Sequence, residues 1–254
     1  MPYMAEVLLE VKNVTMKFGN LVANNNISFE IKEGELVSLI GPNGAGKTTI
    51  FNCISGFYKP TSGKIFFNHT DITNKKPHEI ASMGLVRTFQ IVKPLKDMTV
   101  MENVITGAFL RTSSRKEAED IANRVLKLTN LLPKKDMLAG SLTIADKKRL
   151  EIAKALATRP KMLMLDEVMA GLNQSEIKEA MELCVNLNKQ GITLLIVEHV
   201  MEAIMPISQR VIVLSAGEKI AEGTPEEIVN NEKVITAYLG ERYYAKVKQS
   251  NSRL

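Results

Sequence analysis

The sequence contains no tryptophan, two cysteines and three histidines. Cys53 and Cys184 lie far apart, and neither belongs to a Cys-x-x-Cys pair, which argues against a disulfide framework and a cysteine zinc site. Both read as buried thiols, because free cysteine packs as a small hydrophobe. His69, His78 and His199 are equally scattered, which removes the histidine clusters that most first-row metal sites require. Apolar runs such as Leu194 to Val197 fall far short of the roughly 20 residues needed to cross a bilayer. If the protein works at a membrane, another chain has to span it. Met1 to Glu10 lacks a basic stretch followed by an apolar core, and Glu6 and Glu10 interrupt it, so no secretory signal is expected.

The composition that remains is that of a folded, water-soluble chain. Its 254 residues are 45% hydrophobic and 24% charged, enough to bury a full core as one large domain or two intimate lobes. Lys and Arg number 33 against 28 Asp and Glu, a net charge of +5 that suits a phosphate ligand or an anionic lipid surface equally well.

Alternation of polar and apolar residues from Val7 to Phe18 and from Ile27 to Ile31 predicts strands of a half-buried, N-terminal antiparallel region. Leu36 to Ile40 is continuously apolar and ends in a glycine-rich turn, the pattern of a buried parallel strand before a helix. Lys161 to Asp166 and Ile192 to His199 repeat that pattern. Between them Ile177, Ala180, Met181, Cys184 and Leu187 mark one helix face, closed by Gly191, which completes a β-α-β unit. The fold class expected is α/β with a mostly parallel sheet. A helical lobe is expected in the middle, about residues 91–158, with Ser114 and Glu117 spaced as a capping box before Ile121, Val125 and Leu128. Farther on, Val211 to Leu214 and Lys219 to Ala221 flank a hairpin turn, and Thr224 to Glu227 starts a helix with proline in its first position. Residues 241–254 carry four basic residues against one acid and read as a solvated tail or a docking segment.

Gly41-Pro-Asn-Gly-Ala-Gly46-Lys47-Thr48 matches the phosphate-loop pattern G-x-x-x-x-G-K-[ST] in full, between a buried strand and a helix. Glycines let the backbone curl so that N–H groups face phosphate oxygens, and the helix N-terminus adds partial positive charge. Lys47 is suited to β- and γ-phosphate charge, and the Thr48 hydroxyl to magnesium. A P-loop NTPase core follows. The guanine-reading acid of a GTPase is missing from Asn188-Lys-Gln-Gly191, while small-molecule phosphotransferases stay open from this loop alone. Asp166 and Glu167, consecutive acids at the mouth of an apolar strand, suggest a division of labour in which one holds magnesium and the other polarises a water. His199, ending the next strand, could hydrogen-bond a γ-phosphate, and Gln90 could contact magnesium and the attacking water. Alone, each would be an ordinary structural or surface residue.

In this order the pieces resemble the ATP-binding subunit of an ABC transporter, from about Leu8 to Gly240. The resemblance implies that Gly41 to Thr49 is the Walker A loop, Gln90 the Q-loop, Leu163 to Glu167 Walker B, Ala170 to Asn173 the D-loop and His199 the switch histidine. ATP would be held by Phe18 against adenine, by Gly41, Pro42, Asn43, Gly44, Ala45, Gly46, Lys47, Thr48 and Thr49, and by Thr143 and Ala145 of a signature segment. Magnesium would take Thr48, Gln90 and Asp166, and catalysis would use Glu167, His199, Gln90 and Lys47. The signature, Leu142-Thr-Ile-Ala-Asp146, departs from the family's Leu-Ser-Gly-Gly-Gln pattern. Asn173 replaces the D-loop aspartate, and Val168 the proline after Walker B. If Ala145 had to adopt positive φ, it would be strained by about 1 kcal/mol or more.

Arg87 to Gln90, Lys148 to Lys154, Asp166 to Asn173 and Val234 to Gly240 are similar to importer ATPases for branched-chain amino acids, and several of these strings are shared with amide, urea and lipid systems. This implies a second ATP-binding subunit, identical or related, and transmembrane permease subunits contacted through Ile91 to Val100. An extracytoplasmic solute-binding protein would take part indirectly, and the chain would sit peripherally on the cytoplasmic face of the membrane. The alternative is a non-transport ABC-type ATPase, an assembly scaffold or a mechanical ATPase. Against it stand the lack of a long heptad coiled coil, of a second phosphate loop, and of a basic stripe with interleaved aromatics for nucleic acid.

Overall fold

A computed structural model describes residues 6–90 and 92–239. Ile91 and the basic tail, 241–254, lie outside them, as does Gly240. The chain forms two compact units, one from residues before 75 and after 203, the other from Lys75–Ala203.

The first unit opens with β1 (Val7–Phe18) and β2 (Leu21–Lys32), paired antiparallel. The alternation reading found β1 and the second half of β2. The first half was hidden by Asn24-Asn-Asn26, a polar run in which Asn24 is wholly buried and Asn26 takes φ 53°. Strand β3 (Leu36–Ile40) is buried along its whole length, and α1 (Lys47–Ile54) follows after six residues. Then β4 (Ser62–Phe67) and β5 (Thr70–Asp71) complete an antiparallel sheet of order β2-β1-β4-β5.

The second unit contains α2 (Pro77–Met83), β6 (Leu85–Arg87), α3 (Val100–Ala108), α4 (Arg115–Leu128), α5 (Ile144–Ala157), β7 (Met162–Asp166), α6 (Gln174–Lys189) and β8 (Thr193–Val197). Parallel pairing sets β6 beside β7 and β7 beside β8, with Asp166 opposite Val197. Every residue of β7 and β8 is buried, which is why both read as unbroken apolar runs. Helix α3 begins with a full Thr99–Glu102 capping box.

Helix α4 corrects one expectation. Ser114 is its N-cap and accepts from the Glu117 N–H, but the reciprocal arm of a capping box is absent. The Thr112 hydroxyl supplies both missing partners, accepting from the Ser114 N–H at 3.0 Å and donating to Glu117 Oε2 at 2.6 Å. In α6 the fully buried face is Leu183, Cys184 and Leu187, with Ile177, Ala180 and Met181 half-buried toward its start.

The chain then leaves α7 (Met201–Ile204) and re-enters the first unit with β9 (Arg210–Ser215), β10 (Glu218–Gly223), α8 (Pro225–Val229) and α9 (Glu232–Leu239). Strand β9 runs parallel to β3 and antiparallel to β10. The β9–β10 loop is Ala216-Gly217, both at positive φ (48° and 81°), as a two-residue hairpin matching strand twist requires. Among the described residues no helix is long and apolar enough to cross a membrane.

Candidate nucleotide-binding and hydrolysis site

The phosphate loop spans the six residues between β3 and α1. Gly46 is the N-cap of α1 at φ 97°, and a Cβ there would fall 2.4 Å from Asn24 Nδ2 and 2.5 Å from Ala23 O. Only glycine fits, since both the dihedral and the space exclude a side chain. Asn24 also donates its amide to Gly46 O at 3.2 Å. The sequence reading missed Asn24, which sits inside a polar run that resembles a loop. Ala45 is buried and is fastened through its carbonyl to the Gly217 N–H at 3.2 Å.

Lys47 is buried, and its ammonium donates to Gly41 O at 2.7 Å and Pro42 O at 3.0 Å, so the cation is drawn back over the loop. Asn43, Gly44 and Thr48 are exposed, and Pro42 and Thr49 half-exposed. The first turn of α1 carries no acidic residue and Gly46 supplies no side-chain cap, so the partial positive end of the helix is left for an anion. Partial burial pushes the phenol of Tyr238, in α9 and also missed from sequence, up to about 12, and the Gly41 backbone N–H opposes that rise. Phe18 ends β1 and is 43% exposed, its ring edge-on to Tyr58 at 5.3 Å between centroids. It is therefore not a core aromatic and keeps surface for stacking.

In the second unit Asp166 ends β7 and is almost wholly buried. Its N–H donates to Thr88 Oγ1 at 3.3 Å, and Arg87 Nη2 donates to its Oδ2 at 2.9 Å. Burial raises the Asp166 carboxyl above its usual range and the Arg87 guanidinium opposes that rise. Arg87 was quoted from sequence only as part of a string; its partner is 79 residues away.

Glu167 follows at φ 50°, a left-handed conformation that costs a non-glycine residue on the order of 1–3 kcal/mol and is characteristic of functional turns. Its N–H donates to Val197 O at 2.9 Å. Gln90 Nε2 donates to Glu167 Oε2 at 2.6 Å, and His199 Nε2 lies 2.6 Å from Oε1. Three residues singled out separately from sequence thus meet at one carboxylate. With its amide nitrogen bonded to Glu167, Gln90 keeps its side-chain oxygen as an acceptor. That oxygen and the Asp166 carboxylate in this unit, and separately the Thr48 hydroxyl in the first unit, are each hard oxygen donors, the chemistry magnesium takes.

Two further buried charges surround the Glu167 turn. Lys148 of α5 donates from Nζ to Glu167 O at 2.9 Å and Ala170 O at 2.5 Å. Glu198, just past β8, accepts the Met169 N–H on Oε1 at 2.6 Å, while its buried Oε2 has no hydrogen-bond partner among the described residues. Burial lowers the Lys148 ammonium and raises the Glu198 carboxyl, each opposed by the other's charge.

The altered signature is built without strain. Thr143 is the N-cap of α5, accepting from the Asp146 N–H at 3.2 Å and donating to Asp146 Oδ2 at 3.0 Å. Ala145 lies in the first turn of that helix, buried, and is absent from the positive-φ residues, so the substitution for glycine strains nothing here. Ile144 is 67% exposed. Asn173 caps α6 in a box with Glu176, and Val168 is buried.

Comparison with known proteins follows the same lines. The ABC transporter family model matches residues 24–170, and the model of branched-chain amino acid ATP-binding cassette transporters matches 218–244. The high-affinity branched-chain amino acid transport ATP-binding protein LivG of Salmonella typhimurium is 47% identical, over 94% of this chain and all of that one. The probable LivG of Archaeoglobus fulgidus is 41% identical over 92% of this chain and 95% of its own. An ATP-binding cassette of an ABC transporter, solved in its ADP conformation, superposes with a TM-score of 0.84 at 33% identity, covering 93% of this chain and all of that one. A dimeric cassette bound to ADP and phosphate gives a TM-score of 0.78 at 28% identity, covering 86% of this chain and 99% of its own.

Proposed function

This chain belongs to the ABC transporter family as an ATP-binding ATPase, and we propose from that premise that it powers an importer for branched-chain amino acids. The observation that carries the hydrolytic reading is the Glu167 carboxylate held between Gln90 and His199, each at 2.6 Å. A carboxylate so oriented is fitted to align a water for in-line attack on a γ-phosphate. Lys47 neutralises phosphate charge, and the backbone from Gly41 to Thr49 grips the phosphates. Phe18 stacks on the base, and His199 bonds the γ-phosphate. Thr48, Asp166 and Gln90 would hold magnesium, which when bound offsets charge between the β- and γ-phosphates.

Residues 1–240 work as one ABC ATPase domain, with the helices of about 91–158 as its inserted lobe. Thr143 and Ala145 serve the nucleotide of a facing ATP-binding subunit, so two such subunits complete the sites. Membrane-spanning permease subunits and, through them, an extracytoplasmic solute-binding protein are the remaining partners, with this chain on the cytoplasmic face. Support for the substrate comes from the LivG similarity over nearly full length and from the C-terminal family match. The test is purification with its membrane subunits into liposomes, reading magnesium-dependent phosphate release and uptake of labelled leucine. Release without uptake of leucine, isoleucine or valine would remove the substrate assignment.

A further inference from the structure

The turn Glu167 to Ala170 is gripped by two buried charges that the roles above leave unused. Lys148 places its ammonium on the carbonyls at the two ends of the turn, Glu167 O and Ala170 O. Glu198 places its carboxylate on an N–H between them, that of Met169. The turn's own closing bond, Ala170 N–H to Glu167 O, is long at 3.4 Å, so the side chains supply what the local backbone lacks. We propose that Lys148 is a positioning residue for Glu167, holding the left-handed backbone of that residue so that its carboxylate meets Gln90 and His199.

Chemistry favours positioning over plain packing. A buried ammonium is a costly way to fill space, and an apolar residue of similar length would fill it more cheaply. What an apolar residue lacks is the ability to bond two carbonyl oxygens at once. Lys148 lies five residues beyond Thr143, about 7.5 Å along α5, so a rigid helix carries the cation. The φ of 50° at Glu167 needs such outside support, because its backbone would otherwise relax to a common conformation and swing the carboxylate away.

This inference rests on the hydrolytic reading of Glu167, and the experiment separates the two. Steady-state ATP hydrolysis is measured on the full complex for wild type, Glu167→Gln, Lys148→Met and Lys148→Arg, with nucleotide binding counted in parallel. Lys148→Met is expected to lower kcat per bound nucleotide at least tenfold, with KM for ATP within about twofold. Lys148→Arg, which keeps donors and charge, is expected to recover to within about threefold of wild type. Unchanged kcat per bound nucleotide in Lys148→Met overturns the proposal, as does equal loss in the Met and Arg variants. If wild type fails to hydrolyse ATP, the proposed function fails with it; if wild type is active, Glu167→Gln dead and Lys148→Met normal, the positioning role alone fails. Should Lys148→Met not fold, Lys148→Gln is read by hydrogen exchange at the Ala170 amide. Faster exchange there with β7 unchanged supports the clamp, and unchanged exchange refutes it.

Discussion

His199 Nε2 lies 2.6 Å from Oε1 of Glu167, across two adjacent parallel strand ends and 32 residues of sequence. The pairing arises because β7 and β8 run side by side with Asp166 opposite Val197, so the next residues of each strand leave the sheet at the same edge. The contact fixes the carboxylate from one side as Gln90 does from the other. Glu167→Gln is expected to lower ATP turnover at least 100-fold while retaining ATP affinity, since the amide keeps the shape and loses the base. His199→Ala is expected to cost roughly 10- to 100-fold, because the carboxylate itself remains. Phosphate release together with fluorescent-nucleotide binding reads both, and a Glu167→Gln protein that turns over normally would contradict the assignment.

Gly46 offers a test of the other half of the chemistry. An alanine there must hold φ near 97° while its Cβ meets Asn24 and Ala23 at about 2.5 Å. The backbone conformation alone costs about 1–2 kcal/mol, and relieving the overlap moves the start of α1. Gly46→Ala is therefore expected to lower the Tm by several degrees, at about 2–4 °C per kcal/mol for a chain of this size, and to weaken ATP binding more than tenfold. Calorimetry checks both, and a variant binding ATP as wild type does would show that the cradle tolerates a side chain.

The two cysteines make a simpler claim. Burial pushes the Cys53 and Cys184 thiols up to about 12, and both side chains are buried. At pH 8 the thiolate fraction is then roughly one in ten thousand. A disulfide reagent at that pH is expected to titrate almost no thiol in the native chain within minutes, and two thiols after denaturation in guanidinium. Prompt labelling of either in the native state would place it at the surface.

The pieces legible in the sequence share a physical property, which is that their pattern is local. The phosphate loop is contiguous, and β3, β7 and β8 are buried on both faces, so they announce themselves as apolar runs. Glu167, Gln90 and His199 could be named because each sits in a recognisable string. What escaped reading depends on distant partners. Arg87 has no visible purpose until β6 is laid beside β7, and Lys148 in a Lys-Lys-Arg run looks like a solvated helix face until the turn it holds is present. Asn24, in a triple-asparagine stretch, reads as loop, although its strand is fixed by pairing with β1. The half-formed cap of α4 failed for the opposite reason, because Thr112, two residues earlier, competed locally for the same groups.

Glu198 gives a pH-dependent expectation whose sign follows from burial. Its carboxyl is raised above the ordinary value of 4.5, so the folded chain binds that proton more tightly than the unfolded chain does. Stability from this group is therefore greatest at low pH and is lost as pH climbs from about 4.5 through the folded-state value. Lys148 on α5 moderates the shift, while Glu167 adds to it; the nearby Cys184 thiol, pushed up to about 12, stays neutral in this window. Glu198→Gln keeps an oxygen for the Met169 N–H and removes the charge. Relative to wild type, its Tm is thus expected to be more favourable at pH 8 than at pH 5, and the gap should level off once wild-type Glu198 is fully ionised. Asp166, whose carboxyl is also raised, contributes equally to both proteins and cancels from the difference. Thermal melts from pH 4.5 to 8.5 measure it. A difference between the two proteins that stays constant across that range would mean that Glu198 carries the same charge folded and unfolded.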